Sequence, residues 1–136
     1  MEPQWIDYRA WHHDKKVMIH VSEIDFRKRR IKGRAKDEVI SARFDEVTIM
    51  PWTTYYDKSD DYVMIYEGDV IEVTRKGMKK RFVIDDEMGV LLARCIADEQ
   101  YPFVTFDLEM LICDDGRIKV IGNAYENPEL LETKEV

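Results

Sequence analysis

The stretch Asp69-Val70-Ile71-Glu72-Val73-Thr74, the pair Lys76-Gly77 and the return from Lys79 to Asp85 decide the fold class. β-Branched residues dominate the first arm, which suits a pleated, half-buried surface. The glycine tolerates the positive φ that a tight turn needs. Phe82 and Ile84 stand two apart, so they share one face of the returning arm. The stretch reads as a β-hairpin, and the rest of the chain is read outward from it.

Toward the C-terminus, Asp85-Asp86-Glu87-Met88-Gly89 turns the chain again and Val90 to Ala97 forms the next strand. Asp114-Asp115-Gly116-Arg117 is a hairpin signal, and Ile118 to Ile121 closes the set. Glu126 to Leu131 predicts a short helical turn, with Asn127 as cap, Pro128 at the first helical position and Glu129 facing the positive helix end. Toward the N-terminus, Val17 to Phe26 reads as a strand. It alternates from His20 to Phe26, with Val21 breaking the pattern. Arg27 to Lys36, with Gly33, reads as a turn or an exposed strand end. Phe44 to Met50 reads as a strand stopped by Pro51, and Asp57 to Asp61 as a polar loop.

Strands at roughly ten-residue spacing between turn residues predict a mainly β fold, β-rich α+β at most. The expected architecture is small curled sheets or barrel-like β subdomains. Glu67-Gly68-Asp69 before an alternating strand gives the C-terminal half an SH3-like look, and a short helical turn follows at the C-terminal end. The 136 residues suit one domain, or two tightly joined subdomains over 1–56 and 62–136. A hydrophobic fraction of 45% is enough for a core without a disulfide or metal.

The net charge of −7 argues against broad adhesion to nucleic acid or anionic membrane. The start Met1-Glu2-Pro3-Gln4-Trp5 has no basic region followed by an apolar run, and no apolar stretch has the length of a membrane span. A cytoplasmic protein without membrane association is expected. Cys95 and Cys113 sit in apolar surroundings and read as reduced, packed thiols.

Residues that carry chemistry give little. His12 and His13 are adjacent, so on a strand they point to opposite faces. Even with Asp14 and His20 they read as solvated side chains rather than zinc ligands. Ser22, Ser41 and Ser59 lie in no nucleophile elbow. Asp85-Asp86-Glu87 and Asp114-Asp115 fall at predicted turns, where aspartate is favoured for its local hydrogen bonds. No catalytic residue, cofactor or metal is expected, and the chain does not read as an enzyme.

One local feature stands apart. Arg27, Lys28, Arg29, Arg30, Lys32, Arg34 and Lys36 put seven cations and no acid within residues 27–36, so the remainder of the chain carries −14. The leading reading is a solvated hairpin whose cations pair with the acidic body or with another subunit. The alternative is an electrostatic footprint for nucleic acid, against which stand the acidic remainder and the lack of aromatic residues within the run.

Three ordered segments carry a family resemblance. They are Tyr8-Arg9-Ala10-Trp11 with Met18 and Ile24-Asp25-Phe26, then Ile65-Tyr66-Glu67-Gly68-Asp69-Val70, and finally Val120-Ile121-Gly122-Asn123-Ala124-Tyr125-Glu126-Asn127-Pro128-Glu129-Leu130-Leu131. The chain resembles the YopX family of small proteins carried by phages and prophages of bacteria, and departs from its pattern between Pro51 and Met64. The resemblance implies a mostly β fold, a mobile-element origin and a bacterial host cytoplasm. It carries over no activity and no catalytic residue. The shared motifs have folding roles to fill: Gly68-Asp69 a turn, Gly122-Asn123 a strand break, Asn127-Pro128 a helix start, and Trp11 and Tyr125 anchors for the two ends. The expected function is a non-catalytic interaction or self-assembling module, partnered by its own copies or by a host or phage protein. A nucleic-acid-binding accessory protein is the alternative.

Overall fold

The computed structural model describes residues 7–87, 89–96, 105–112 and 116–132. The chain divides into two units, Met1–Trp52 and Thr53–Val136.

In the first unit, β1 (Tyr8–His12), β2 (Val17–Asp25), β3 (Arg30–Ala35), β4 (Glu38–Arg43) and the start of β5 (Val47–Tyr56) form an antiparallel sheet in the order β4-β3-β2-β1-β5. Ala10, Ile19, Ile31, Ala35, Ile40, Ala42 and Val47 form its buried cluster. Ile19 and Ile31 are fully buried, each contributing roughly 1.5–3 kcal/mol.

A β-bulge explains the misplaced Val21. Val21 pairs with Gly33 and Glu23 with Lys32, so Ser22 is the extra residue on β2. The bulge shifts the phase of alternation, and Ile19, Val21 and Ile24 all pack toward the same cluster. Gly33 is therefore not a turn glycine. It lies in mid-β3, buried, where an added Cβ would stand 2.1 Å from the carbonyl oxygen of His20. Only a residue without a side chain lets the two backbones approach this closely. The 27–36 segment is thus a short turn followed by a paired inner strand, rather than a loose end.

Pro51 does not stop β5. The Trp52 N–H donates to the Asp7 carbonyl at 2.8 Å, and Pro51 stands opposite Tyr8. Antiparallel ladders alternate hydrogen-bonded and non-bonded pairs, so Pro51 occupies a non-bonded position toward β1, where its missing N–H costs nothing. Phe44–Glu46, expected as strand, is a 3-10 turn tied by the Arg43 N–H to Glu46 Oε1 at 2.9 Å.

The second unit holds the end of β5, then β6 (Met64–Tyr66), β7 (Asp69–Arg75), β8 (Met78–Glu87), β9 (Val90–Ile96), β10 (Thr105–Asp107), the helix α1 (Leu108–Ile112) and β11 (Arg117–Asn123). Its main sheet runs β10-β9-β8-β7-β11, all antiparallel. The β7–β8 hairpin is as read, with positive φ at Lys76 and Gly77 and Phe82 and Ile84 in the core. Ile65, Ile71, Val73, Leu108 and Ile118 complete that core with Ala93 and Cys95.

The mainly β expectation holds, and the curled sheets are two open antiparallel sheets rather than closed barrels. β8 runs through Asp85 and Asp86 to Glu87, where a turn was expected. β11 is not the return arm of an Asp-Gly hairpin. A helix precedes it in the chain, and it pairs with β7, some forty residues earlier. Asp114 and Asp115 themselves lie outside the described residues. The C-terminal turn is 3-10, Pro128–Leu131, with Asn127 at its cap position.

Candidate functional site

Strand periodicity decides where the basic segment points. Ile31, Gly33 and Ala35 are buried, while Arg30, Lys32 and Arg34 are exposed on the opposite face. Alternate residues of a strand recur at about 6.7 Å, so these three form a straight cationic row. Arg27, Lys28 and Arg29 sit on the turn that joins β2 to β3, and Lys36 on the next turn; all are exposed.

The β2–β3 turn is held by its own backbone. Asp25 Oδ1 accepts the N–H groups of Arg27 and Lys28 at 3.0 and 2.9 Å. Arg29 takes a left-handed φ of 54°, and its carbonyl accepts the Phe44 N–H at 2.9 Å. The carboxylate of Asp25, which stands opposite Arg30 in the sheet, is thereby engaged with backbone. Arg30 donates to Ser41 Oγ at 3.3 Å. Among the described residues none of the seven cations is ion-paired. The expected pairing with the acidic body is therefore not seen among the described residues. Arg43, one strand over, is paired, with Asp45 at 3.0 Å and Glu46 at 3.7 Å.

Phe26 belongs to this site, although it reads in sequence as the last residue of a strand. β2 ends at Asp25, and the Phe26 ring is 78% exposed at the turn. It meets the Phe44 ring edge to face, with centroids 6.1 Å apart and planes at 76°. The run thus has an aromatic neighbour in space. Its signal in the sequence was adjacency to Arg27, which alternation alone misassigns.

The histidines do not converge. His12 is buried, with Nδ1 accepting the Lys15 N–H at 3.1 Å and Nε2 3.7 Å from Glu46. His13 bonds Thr48 Oγ1 at 2.8 Å, and His20 lies 3.1 Å from Asp7. His12 is thus packed rather than solvated. Among the described residues no group of three or more histidine, cysteine or acidic side chains has a metal-holding arrangement. Cys95 is a buried thiol on β9, and Cys113 lies outside the described residues.

The most informative carboxylate lies in the 57–61 stretch that reads in sequence as a polar loop. Asp57 is 2% exposed and accepts four hydrogen bonds: Ser59 N–H, Ser59 O–H and Val63 N–H on Oδ1, and Val120 N–H on Oδ2. Burial alone would raise its pKa. The Ser59 hydroxyl and the three N–H groups outweigh that and hold it below the usual carboxylate range.

The recurring motifs fill folding roles. Asp69 is buried, and its Oδ2 accepts the Tyr66 N–H at 2.7 Å across the Glu67-Gly68 turn, where Gly68 has φ 88°. Asn123 accepts the Tyr125 and Glu126 N–H groups at 3.0 and 2.8 Å. Asn127 does not cap the turn with its side chain; its Oδ1 accepts the Asn123 N–H instead, at 3.2 Å. A Cβ on Gly122 would lie 2.5 Å from that oxygen and 2.7 Å from Leu130 Cδ1. Trp11 and Tyr125 are half-buried and stand outside both apolar clusters.

No helix among the described residues is long and apolar enough to cross a membrane. No curated protein matches the chain. The crystal structure of protein yopX from Bacillus subtilis is similar in fold, with a TM-score of 0.58 at 20% identity, covering 93% of this chain and 98% of that one. The family described as YopX protein matches residues 7–132. That match spans both units and includes the Gly68-Asp69 turn and the Gly122-to-Leu130 interlock, and by it the chain belongs to the YopX family.

Proposed function

We propose that the protein is a non-catalytic binding module of phage or prophage origin, working in the cytoplasm of a bacterial host, and that its working surface is the basic face of β3 with the turn before it. The ligand is a polyanion or a strongly acidic surface. One observation carries this reading: seven exposed cations stand together with no ion pair among the described residues, in a chain of net charge −7. Cations that served only folding would be expected to find carboxylates in so acidic a chain. The non-catalytic reading is supported by His12, Thr53, Asp57, Asp69 and Asn123, buried polar side chains that bond the backbone in both units. The test is retention on heparin–agarose at low salt and neutral pH. The chain should be retained despite its net charge, and the triple variant Arg30→Gln, Lys32→Gln, Arg34→Gln should flow through. Equal behaviour of the two proteins would refute the assignment.

A further inference from the structure

We infer that the ligand of this surface is single-stranded nucleic acid, with phosphates tracked by Arg30, Lys32 and Arg34 and a base stacked on Phe26. The inference rests on the polyanion reading above and deepens it.

The first ground is the shape of the charge. The cations of β3 lie in one row with steps of about 6.7 Å, close to the phosphate separation of an extended single strand. On the β2 side the strand register sets Glu23 opposite Lys32 and Asp25 opposite Arg30, with His20 opposite Arg34. On the β4 side it meets Val39, Ser41 and Arg43, the last already ion-paired with Asp45 and Glu46. Among the described residues the cations of this face that have no ion pair lie on one strand, since Arg43 is engaged by Asp45 and Glu46. This row accommodates one phosphate chain, whereas a duplex would lay its second backbone over Glu23 and Asp25 on one side, or over Val39, Ser41 and the already paired Arg43 on the other.

The second ground is Phe26. A large apolar ring left 78% exposed beside four consecutive cations gains nothing from the core. It is held from one side by Phe44, and its turn is fixed by the Asp25 and Arg29 hydrogen bonds. A preset aromatic loses little entropy on binding. Base stacking on such a ring is tolerant of sequence and needs an unpaired base, since bases inside a duplex already stack on one another. An acidic peptide would use the cations equally well but would have no such use for the ring.

The experiment is fluorescence anisotropy with a labelled oligo(dT) of about 15 nucleotides, set beside a duplex of equal length and a labelled poly-glutamate peptide. Oligo(dT) should bind most tightly. The triple glutamine variant should weaken binding and flatten the plot of log K against log salt by about 2. Phe26→Leu, which keeps an apolar side chain at the turn, should weaken oligo(dT) binding on the order of tenfold or more while leaving the salt slope unchanged. Far-UV circular dichroism shows that each variant is folded. Binding of poly-glutamate or duplex in preference to oligo(dT), or indifference to Phe26→Leu, overturns the single-strand inference and leaves the polyanion reading standing. Binding of no probe, or equal binding by the triple variant, overturns both.

Discussion

Asp57→Asn tests whether a single buried carboxylate holds the Asp57–Val63 loop against β11. The two oxygens of Asp57 accept four donors, three of them on Oδ1 and the Val120 N–H on Oδ2 at 3.1 Å. The backbone adds Lys58 N–H to Ile118 carbonyl at 2.8 Å and Asp57 N–H to Val63 carbonyl at 2.7 Å. Asparagine keeps one acceptor. With its oxygen on the three-donor side, its amide faces the Val120 N–H, donor against donor. An unsatisfied buried donor costs about 1–3 kcal/mol, and the remaining bonds lose their charge assistance. The sum is a loss of roughly 2–4 kcal/mol, set against the ~5–15 kcal/mol stability of a typical domain. Urea unfolding followed by far-UV circular dichroism measures it.

The pH dependence separates this account from a steric one. The folded pKa of Asp57 is depressed, so its contribution is present above the unfolded value of about 3.9 and is lost as pH falls through the folded value. The gap between wild type and Asp57→Asn should be full at neutral pH and shrink in acid below about pH 4. A variant within about 0.5 kcal/mol of wild type at neutral pH would refute the reasoning. So would a gap that does not change in acid.

Three further outcomes follow from the same geometry. Gly33→Ala drives a Cβ to 2.1 Å from the His20 carbonyl oxygen, a backbone atom that cannot swing away, so the first unit should lose about 2–4 kcal/mol. Tryptophan fluorescence in urea reads this, since Trp11 and Trp52 lie in that unit. Gly122→Ala meets the movable ends of Asn127 and Leu130, so its cost should be smaller, about 1–2 kcal/mol by circular dichroism. Glu67 has its pKa raised, first by burial and then by Asp86 and Asp85. Its stabilising contribution is present in acid and lost as pH rises through the folded value, so Glu67→Gln should raise the urea midpoint at neutral pH and give no gain below about pH 4.

Much of the fold was legible because alternation is a local property. The arms of the β7–β8 hairpin, their Lys76-Gly77 turn and the strand character of β2, β9 and β11 follow from side chains one or two positions apart. The family, too, was carried by short ordered motifs, and the structure shows why those motifs are short. The Gly122-to-Leu130 interlock and the Asp69 turn close within a few residues. The basic run was legible as composition, though not as a surface.

Partners distant in the chain decided the rest. Val21 looked out of phase until β3 supplied the register that makes Ser22 a bulge. Gly33 looked like a turn until the His20 carbonyl closed over it. Pro51 looked like a stop until β1 placed it at a non-bonded position. Phe26 looked like the end of a strand, and Asp57 like part of a polar loop, although its partner Val120 lies 63 residues away. The sequence by itself determined the period of each strand and the faces it can offer, because neighbouring side chains set that period. Only the tertiary structure decided which face meets the core, which backbone approaches a glycine and which buried N–H a carboxylate must satisfy, because those depend on register between strands that the chain brings together from afar.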